Sequence, residues 1–198
     1  IEQFLRAMPK VELHCHLFGT VRQSTFRALA AKTGNVVSPE EIDAFYTRGD
    51  KPVGVLRVLR ALDAHLIVSP TDLYCLAYEY LEDVHGHGVR YAEFFWNPTG
   101  TVRVSGIRYD AAQDAIVAAI RDAQRDFGVI GRLIPSIDRE AAPAEAVQMV
   151  EWMKAHRAPE VIGIGIDYRE NDRPPELFIE AYRAAREAGF KCTAHAGE

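Results

Sequence analysis

The stretch Phe190-Lys-Cys-Thr-Ala-His-Ala-Gly-Glu198 begins with residues that are typical of a β-strand and ends with two polar side chains, His195 and Glu198. It predicts a β-strand over 190–195, with His195 at its carboxyl end and Glu198 three residues further on, in the following loop. Because α/β barrels carry their active-site residues at the carboxyl ends of parallel strands, this stretch is the first indication of both the fold and the site.

A second group of candidate residues lies in Lys10-Val-Glu-Leu-His-Cys-His-Leu17. This stretch predicts a first strand over 10–17, in which His14 and His16 project from one face because side chains alternate along a strand. Cys15 lies on the other face and is expected to pack against a helix. Neutral imidazole is a common zinc ligand, and a catalytic zinc keeps one position open for water. We therefore predict a metal site formed by His14, His16 and His195.

Predicted strands and helices alternate between these two stretches. Further strands are predicted over 89–96, 129–137 and 161–166. Helices are predicted over 24–32, 53–66, 70–84, 110–127, 143–155 and 175–188, and a short helix is predicted from Ser38-Pro39 onward. Repeated strand–helix–strand units indicate parallel strands that are joined by right-handed crossovers. The fold class is therefore α/β.

Two α/β architectures agree with this pattern, a doubly wound sheet and part of a (β/α)8 TIM barrel. The chain has no Gly-rich dinucleotide-binding turn, and its candidate ligands follow strands one and five, as in barrels. We predict a metal-dependent hydrolase barrel. A complete barrel needs about 250 residues, so residues 1–198 are expected to be the N-terminal part, about five βα units, of a single domain. The absence of an initiator methionine predicts that some preceding residues are missing.

Composition limits the partners. The formal net charge of −5 favours neither nucleic acid nor an anionic membrane as a partner. No apolar run approaches the roughly 20 residues of a membrane span. Three scattered cysteines are typical of reduced thiols, and we expect a cytoplasmic protein. The sequence gives no prediction of the oligomeric state.

Other polar residues are expected to lie away from the metal. His85 and His87 stand between a predicted helix and strand two, which places them at the opposite, amino end of the sheet. His65 and His156 fall in predicted helices and are expected to be surface or packing residues. Glu93 lies within strand two, where a structural role and a role in shaping the site remain alternatives.

Three stretches resemble signatures of the adenosine deaminase family, within the amidohydrolase superfamily. Residues 8–20, Met-Pro-Lys-Val-Glu-Leu-His-Cys-His-Leu-Phe-Gly-Thr, are similar to its first strand, residues 90–98 to its second and residues 193–198 to its fifth. The resemblance spans the whole chain. It implies a (β/α)8 barrel with one zinc ion per chain, and hydrolytic removal of the 6-amino group of a small purine substrate with release of ammonia.

The resemblance also implies roles for individual residues. His14, His16 and His195 would bind zinc, with His16 also beside the substrate. Glu198 would protonate the purine ring nitrogen while zinc-bound hydroxide adds to the neighbouring carbon. The family further uses a sixth-strand histidine and an eighth-strand pair of aspartates, which residues 1–198 do not contain. These residues alone are therefore expected to be inactive, as the front part of a longer enzyme.

Two departures from the family pattern bear on the substrate. Adenosine deaminases usually have Asp at the position of Phe18, where it contacts the ribose 5′-hydroxyl, and adenine-acting relatives often have Glu. Phenylalanine cannot accept this hydrogen bond, which predicts a weak preference for adenosine. A free base, an N6-substituted base or a nucleoside with an apolar 5′ group are the expected candidates.

The second departure follows strand four, where the family has a Gly-containing stretch whose backbone approaches the purine. Here the stretch is Gly165-Ile-Asp-Tyr-Arg-Glu170. Either Tyr168 occupies the glycine position and alters the floor of the pocket, or Gly165 supplies the backbone contact. Simple drift within a true adenosine deaminase is the alternative explanation of both departures.

Two other functions remain open at this point. One is an amidohydrolase that acts on another ring or amide. The other is a non-catalytic deaminase relative that retains part of the site and serves in binding or signalling.

Overall fold

Five parallel strands form one sheet in the order β1-β2-β3-β4-β5. The computed structural model describes residues 1–47, 58 and 60–197. The strands are β1 (Lys10–His16), β2 (Val89–Trp96), β3 (Ile130–Asp138), β4 (Gly163–Asp167) and β5 (Lys191–Cys192). Their spatial order equals their order in the chain, so the sheet lacks the reversal of a doubly wound fold across these five strands. This is the arrangement of consecutive units of a (β/α)8 barrel, as predicted.

Helices connect the strands. They are α1 (Glu2–Ala7), α2 (Gln23–Lys32), α3 (Pro39–Tyr46), α4 (Pro70–Gly86), α5 (Pro98–Ser105), α6 (Tyr109–Phe127), α7 (Pro143–Ala155) and α8 (Ile179–Glu187). Short 3₁₀ helices cover Leu17–Thr20 and Pro175–Phe178, and a π-helical turn covers Leu62–Leu66. Within the described part of the chain, no helix is long and apolar enough to cross a lipid bilayer.

Most predicted boundaries agree with the structure to within two residues, and the differences have local causes. Strand one stops at His16 because Leu17 begins a 3₁₀ helix. The strand predicted over 190–195 is regular only at Lys191–Cys192. The backbone N–H groups of Thr193 and His195 nevertheless donate to Ile164 and Ile166 of β4, at 3.0 and 3.1 Å, so the chain continues beside that strand.

Some predicted helices differ more. The helix predicted over 53–66 falls partly on residues 48–57 and 59, which lie outside the described residues. The helix predicted over 175–188 begins as a 3₁₀ turn. Sequence analysis missed α1 and α5. Helix α5 has the sequence PTGTVRVS, whose glycine and β-branched residues have low helix propensity, but Pro98 begins it and Gly106 ends it with a φ of 72°.

The core lies between the sheet and the helices. Strands β2, β3 and β4 are largely buried along their length, as expected for parallel strands that helices cover. Helix α6 presents Ala112, Ile116, Ile120 and Ala123 to this core at helical spacing. Tyr74 of α4 donates to Asp122 of α6 at 2.8 Å.

A buried carboxyl group lies where the π-helical turn packs against α5. The Thr101 hydroxyl donates to Oδ1 of Asp63 at 3.1 Å. A Cβ atom at Gly100 would lie 1.9 Å from Oδ2 of Asp63, so a side chain at this position would displace the Asp63 carboxyl group. Burial raises the pKa of Asp63 to about 6; the Asp138 carboxylate adds to the shift and the Thr101 hydroxyl opposes it.

We expect Asp63→Asn to stabilise the full-length protein at neutral pH. The raised pKa of Asp63 means that its ionisation weakens the folded state as the pH rises from about 4 to about 6. Asparagine keeps an acceptor for Thr101 and does not titrate. Thermal unfolding should show a higher Tm for the variant at pH 8, equivalent to about 1–2 kcal/mol after solvent screening, and a clearly smaller gain at pH 4.5.

Asp172→Asn is the control, because the Asp172 side chain is 89% exposed. It should change the Tm little at either pH. An equal gain for Asp63→Asn at both pH values would contradict the charge explanation.

Candidate metal centre

Three histidine side chains meet at the carboxyl edge of the sheet. The ligand atoms of His14, His16 and His195 all lie within 4.8 Å of one another. His14 and His16 come from β1, at one edge of the five-stranded sheet, while His195 follows β5, at the other edge. In a flat sheet, four strand spacings would separate these edges by roughly 19 Å. The ring centroids of His14 and His195 are 4.4 Å apart, so the sheet curves as a barrel wall does.

Two of the rings present nitrogen to nitrogen. Nε2 of His16 lies 2.9 Å from Nε2 of His195. Nδ1 of His195 is 2.8 Å from the Ile166 carbonyl oxygen, which only accepts, so this nitrogen carries the hydrogen. Nδ1 of His16 is 3.2 Å from Oδ2 of Asp167, and a carboxylate likewise favours a hydrogen on the nitrogen that faces it.

With the hydrogen on Nδ1 of both rings, the two Nε2 lone pairs are directed at each other. Such an arrangement is unfavourable unless a proton or a cation lies between the two nitrogens. Three imidazole nitrogens in one cluster are a ligand set found in catalytic zinc sites, which keep a fourth position for water. The donor set at His14, His16 and His195 therefore fits a metal ion.

Asp167 supports this set from the end of β4. Its side chain is buried, and Oδ1 accepts a hydrogen bond of 2.6 Å from the Asn97 amide, which also donates to the Ser136 carbonyl at 3.2 Å. Oδ2, the oxygen near His16, has no aligned hydrogen bond among the described residues. A buried carboxylate oxygen beside the imidazoles places negative charge where a cation would be stabilised.

A cavity of about 550 Å³ opens beside the histidines. The lining residues include His16 and His195, together with Phe18, Arg60 and Tyr168. This volume lies in the range of small-molecule sites. The cavity combines aromatic walls with a few charged groups and is therefore suited to a flat, partly apolar ring.

Arg60 and Tyr168 contact each other in the wall of this cavity. The guanidinium carbon of Arg60 is 4.5 Å from the centre of the Tyr168 ring, and Nη1 of Arg60 is 2.5 Å from Oε2 of Glu140. Tyr168 adopts a φ of 66°, a left-handed conformation that is uncommon for a residue with a side chain. The loops after β3 and β4 are thus joined to Arg60 at this point.

The predicted substrate-contacting residues differ in their position relative to the cavity. Phe18 is only 6% exposed, in the 3₁₀ helix after β1, and Tyr168 lines the cavity. Gly165 is not among the lining residues. A Cβ atom there would lie 2.8 Å from the Phe95 ring, so Gly165 serves the packing of β4 behind that ring. Tyr168 is therefore the residue of this pair that borders the cavity.

Glu198, the predicted proton donor, lies outside the described residues. The preceding residue is described, and the Gly197 N–H donates to Oε1 of Glu170 at 3.2 Å. The loop after β5 therefore contacts the loop after β4.

The remaining polar candidates lie elsewhere. His85 is in the last turn of α4, where its ring stacks on Phe127 at 5.5 Å, and His87 ends that helix at the opposite end of the sheet. His156 contacts Asp114 at 2.7 Å, and His65 is exposed in the π-helical turn. Neither lines the cavity.

Two further residues lie close to the histidines. Cys15 packs against the core beside Tyr80, and burial raises the pKa of its thiol. Glu93 accepts from the Tyr91 hydroxyl at 2.6 Å and borders a smaller space next to His14.

Sequence analysis did not select Asn97, Asp167, Arg139 or Glu170. Asn97 and Asp167 are polar residues at the carboxyl ends of predicted strands, a position that already indicates a site. Their contacts with each other depend on the curvature of the sheet, which no sequence pattern expresses.

Comparison with known proteins gives consistent results. The profile of the family described as adenosine deaminase matches residues 9–198. An adenine deaminase of Schizosaccharomyces pombe is 37% identical over the whole chain and 56% of its own length. A crystal structure of an amidohydrolase from Burkholderia ambifaria with bound zinc is 69% identical, with a TM-score of 0.95, over 99% of this chain and 54% of that protein.

The structure of an adenine deaminase from Arthrobacter aurescens is 29% identical, with a TM-score of 0.83, over 94% of this chain and 57% of that protein. The chain therefore spans little more than half the length of these relatives. The family profile nevertheless covers almost all of it, including all three histidines. The chain belongs to the adenosine deaminase family.

Proposed function

We propose that the protein containing this chain is a zinc-dependent aminohydrolase that removes the amino group of a purine, with a free base such as adenine preferred over adenosine. We also propose that residues 1–198 are the N-terminal part of one barrel domain. The convergence of His14, His16 and His195 beside a cavity carries this proposal.

The three histidines would bind one zinc ion per chain. Imidazole suits several metals, and the zinc bound by the Burkholderia relative favours zinc here. When bound, the ion would lower the pKa of a water ligand toward about 7 and so supply a nucleophile at neutral pH.

The residues around the histidines would prepare the site. Asp167 and the Ile166 carbonyl orient the rings of His16 and His195, so that Nε2 of each faces the metal position. The aromatic rings of Phe18 and Phe95 line the cavity and limit the access of water to it. We assign to Glu198 the proton that is donated to the purine ring nitrogen next to the amino-bearing carbon.

Phe18 supports a weak preference for adenosine. This ring is buried in the cavity wall at the position where, by the resemblance, an adenosine deaminase has a carboxylate for the 5′-hydroxyl. A site without that acceptor gains little from the hydroxyl group. Relatives named adenine deaminase in yeast and bacteria support the same preference. N6-substituted bases and nucleosides with an apolar 5′ group remain candidate substrates.

The first test uses the full-length protein. We expect about one zinc per chain and release of ammonia from adenine, with loss of turnover on chelation and recovery on addition of zinc. Glu198→Gln should retain the metal and lose at least about a hundredfold in kcat, because the proton donor is removed. Metal analysis and an ammonia assay give both results.

The other outcomes separate the alternatives. Turnover by Glu198→Gln at the wild-type rate would contradict the assigned role of Glu198. Metal without turnover of any purine would point to another ring or amide substrate. A protein with neither metal nor turnover would be a non-catalytic relative.

The second test concerns substrate preference. Phe18→Asp introduces an acceptor at the cavity wall, and we expect the ratio of kcat/KM for adenosine to that for adenine to rise about tenfold or more. Phe18→Leu is the control, since it shortens the side chain without adding an acceptor. Folding of both variants is checked by thermal unfolding. An equal change of the ratio in the two variants would show that size at position 18, and not hydrogen bonding, sets the preference.

A further inference from the structure

Arg139, which follows β3, is a buried cation beside the metal site. Its side chain is only 3% exposed. Nη2 donates to the backbone carbonyl of His195, and Nη1 lies 3.3 Å from Oε1 of Glu170. The guanidinium therefore contacts a predicted metal ligand through its backbone, and not through its ring.

Glu170 contacts the same loop from the other side. Its Oε1 accepts the hydrogen bond of 3.2 Å from the Gly197 N–H and also faces Nη1 of Arg139. The Arg139–Glu170 pair thus contacts residues 195 and 197. Both lie within three residues of Glu198 in the sequence.

The backbone of Arg139 is itself fixed by neighbouring loops. Its N–H donates to the Asp167 carbonyl at 3.2 Å. Its carbonyl accepts from Nε of Arg173, and Nη2 of Arg173 donates to the Ala141 carbonyl. Arg139 therefore connects the loops after β3, β4 and β5.

The burial of Arg139 is costly. Moving a guanidinium out of water carries a large desolvation penalty, which complete pairing would offset. Nε of Arg139 has no hydrogen-bond partner among the described residues, and Nη1 has the ion-pair contact with Glu170 but no aligned hydrogen bond. Stability alone gives no reason for a partly satisfied cation at this position, since an apolar side chain of similar volume would often be as stable.

We propose that Arg139 and Glu170 are positioning residues for the loop after β5. Arg139 sets the position of the His195 backbone, and hence of its ring at the metal site. Glu170 sets the position of Gly197, and hence of the attachment point of Glu198. This proposal rests on the proposed function, both for the role of Glu198 and for the metal-binding role of His195.

The two residues should give different kinetic signatures. In Arg139→Met the apolar side chain fills a similar volume but cannot donate to His195. We expect its zinc dissociation constant, measured by chelator competition in the full-length protein, to rise about tenfold or more. Arg139→Lys keeps the positive charge but lacks the several N–H donors of the guanidinium. Its zinc dissociation constant should lie between those of the wild type and Arg139→Met.

Glu170→Leu should retain zinc affinity to within about threefold but lower kcat about tenfold or more, with KM for adenine little changed. Glu170→Gln keeps an oxygen that can accept a hydrogen bond from the Gly197 N–H. Its kcat should therefore lie between those of Glu170→Leu and the wild type. A purely structural role would instead lower the Tm and leave zinc affinity and kcat of the folded fraction unchanged.

Arg121→Met is the matched control. Arg121 and Glu160 also form an arginine–glutamate pair, at 2.8 and 3.1 Å, but Arg121 is 59% exposed and the pair lies away from the cavity. This variant should leave zinc affinity and kcat unchanged.

Wild-type zinc affinity in folded Arg139→Met, or wild-type kcat in Glu170→Leu, would overturn the proposal for that residue. If Arg139→Met does not fold, Arg139→Lys and the Glu170 variants decide, because the Glu170 side chain is 32% exposed and tolerates change more readily. Absence of purine turnover in the wild type would contradict the proposed function, and the zinc measurements would still test Arg139.

Discussion

The arrangement of the site depends on two imidazole nitrogens that face each other at the carboxyl edge of the sheet. Nε2 of His16 and Nε2 of His195 lie 2.9 Å apart, and the Nδ1 atoms of the two rings face groups that only accept hydrogen bonds. A cation bound by both Nε2 atoms would stabilise this arrangement. Parallel strands whose carboxyl ends lie at one edge, and a sheet curved enough to bring β1 near β5, are both required for the two rings to meet.

The histidines come from β1 and from the segment after β5, and residues at the ends of β2, β3 and β4 support them. Asn97 after β2 donates to Asp167 at the end of β4, and Asp167 faces His16. Arg139 after β3 donates to the backbone of His195 after β5. Each polar residue is thus oriented by one from a different strand. The geometry of the histidine cluster therefore depends on several strands at once, and a change in one of these loops is expected to alter residues in the others.

Local patterns were sufficient to predict that His14, His16 and His195 lie together. Alternation along β1 places His14 and His16 on one face, and His195 follows a predicted strand, so the cluster required only the topology of the sheet. The α/β class and most boundaries followed from hydrophobic periodicity. The family resemblance, rather than any periodicity, supplied the purine and the role of Glu198.

Contacts between distant loops were not predictable in the same way. The pairing of Arg139 with Glu170, 31 positions further along the chain, depends on how three loops fold over one edge. The left-handed backbone at Tyr168 is unexpected because its side chain disfavours that conformation, and only the surrounding contacts, including Arg60, offset the cost. Helix α5 was missed because its local propensity opposes its structure, while Pro98 and packing against Asp63 stabilise it.

The two tryptophans of residues 1–198 lie on either side of one tyrosine. The ring of Tyr109 is 5.9 Å from Trp96 and 5.6 Å from Trp152, and both pairs are stacked. Trp96 immediately precedes Asn97, whose amide is bonded to the carboxylate that faces His16. The tryptophan fluorescence of residues 1–198 therefore arises from one cluster that includes the carboxyl end of β2, which makes emission an optical signal for changes at that end of the strand.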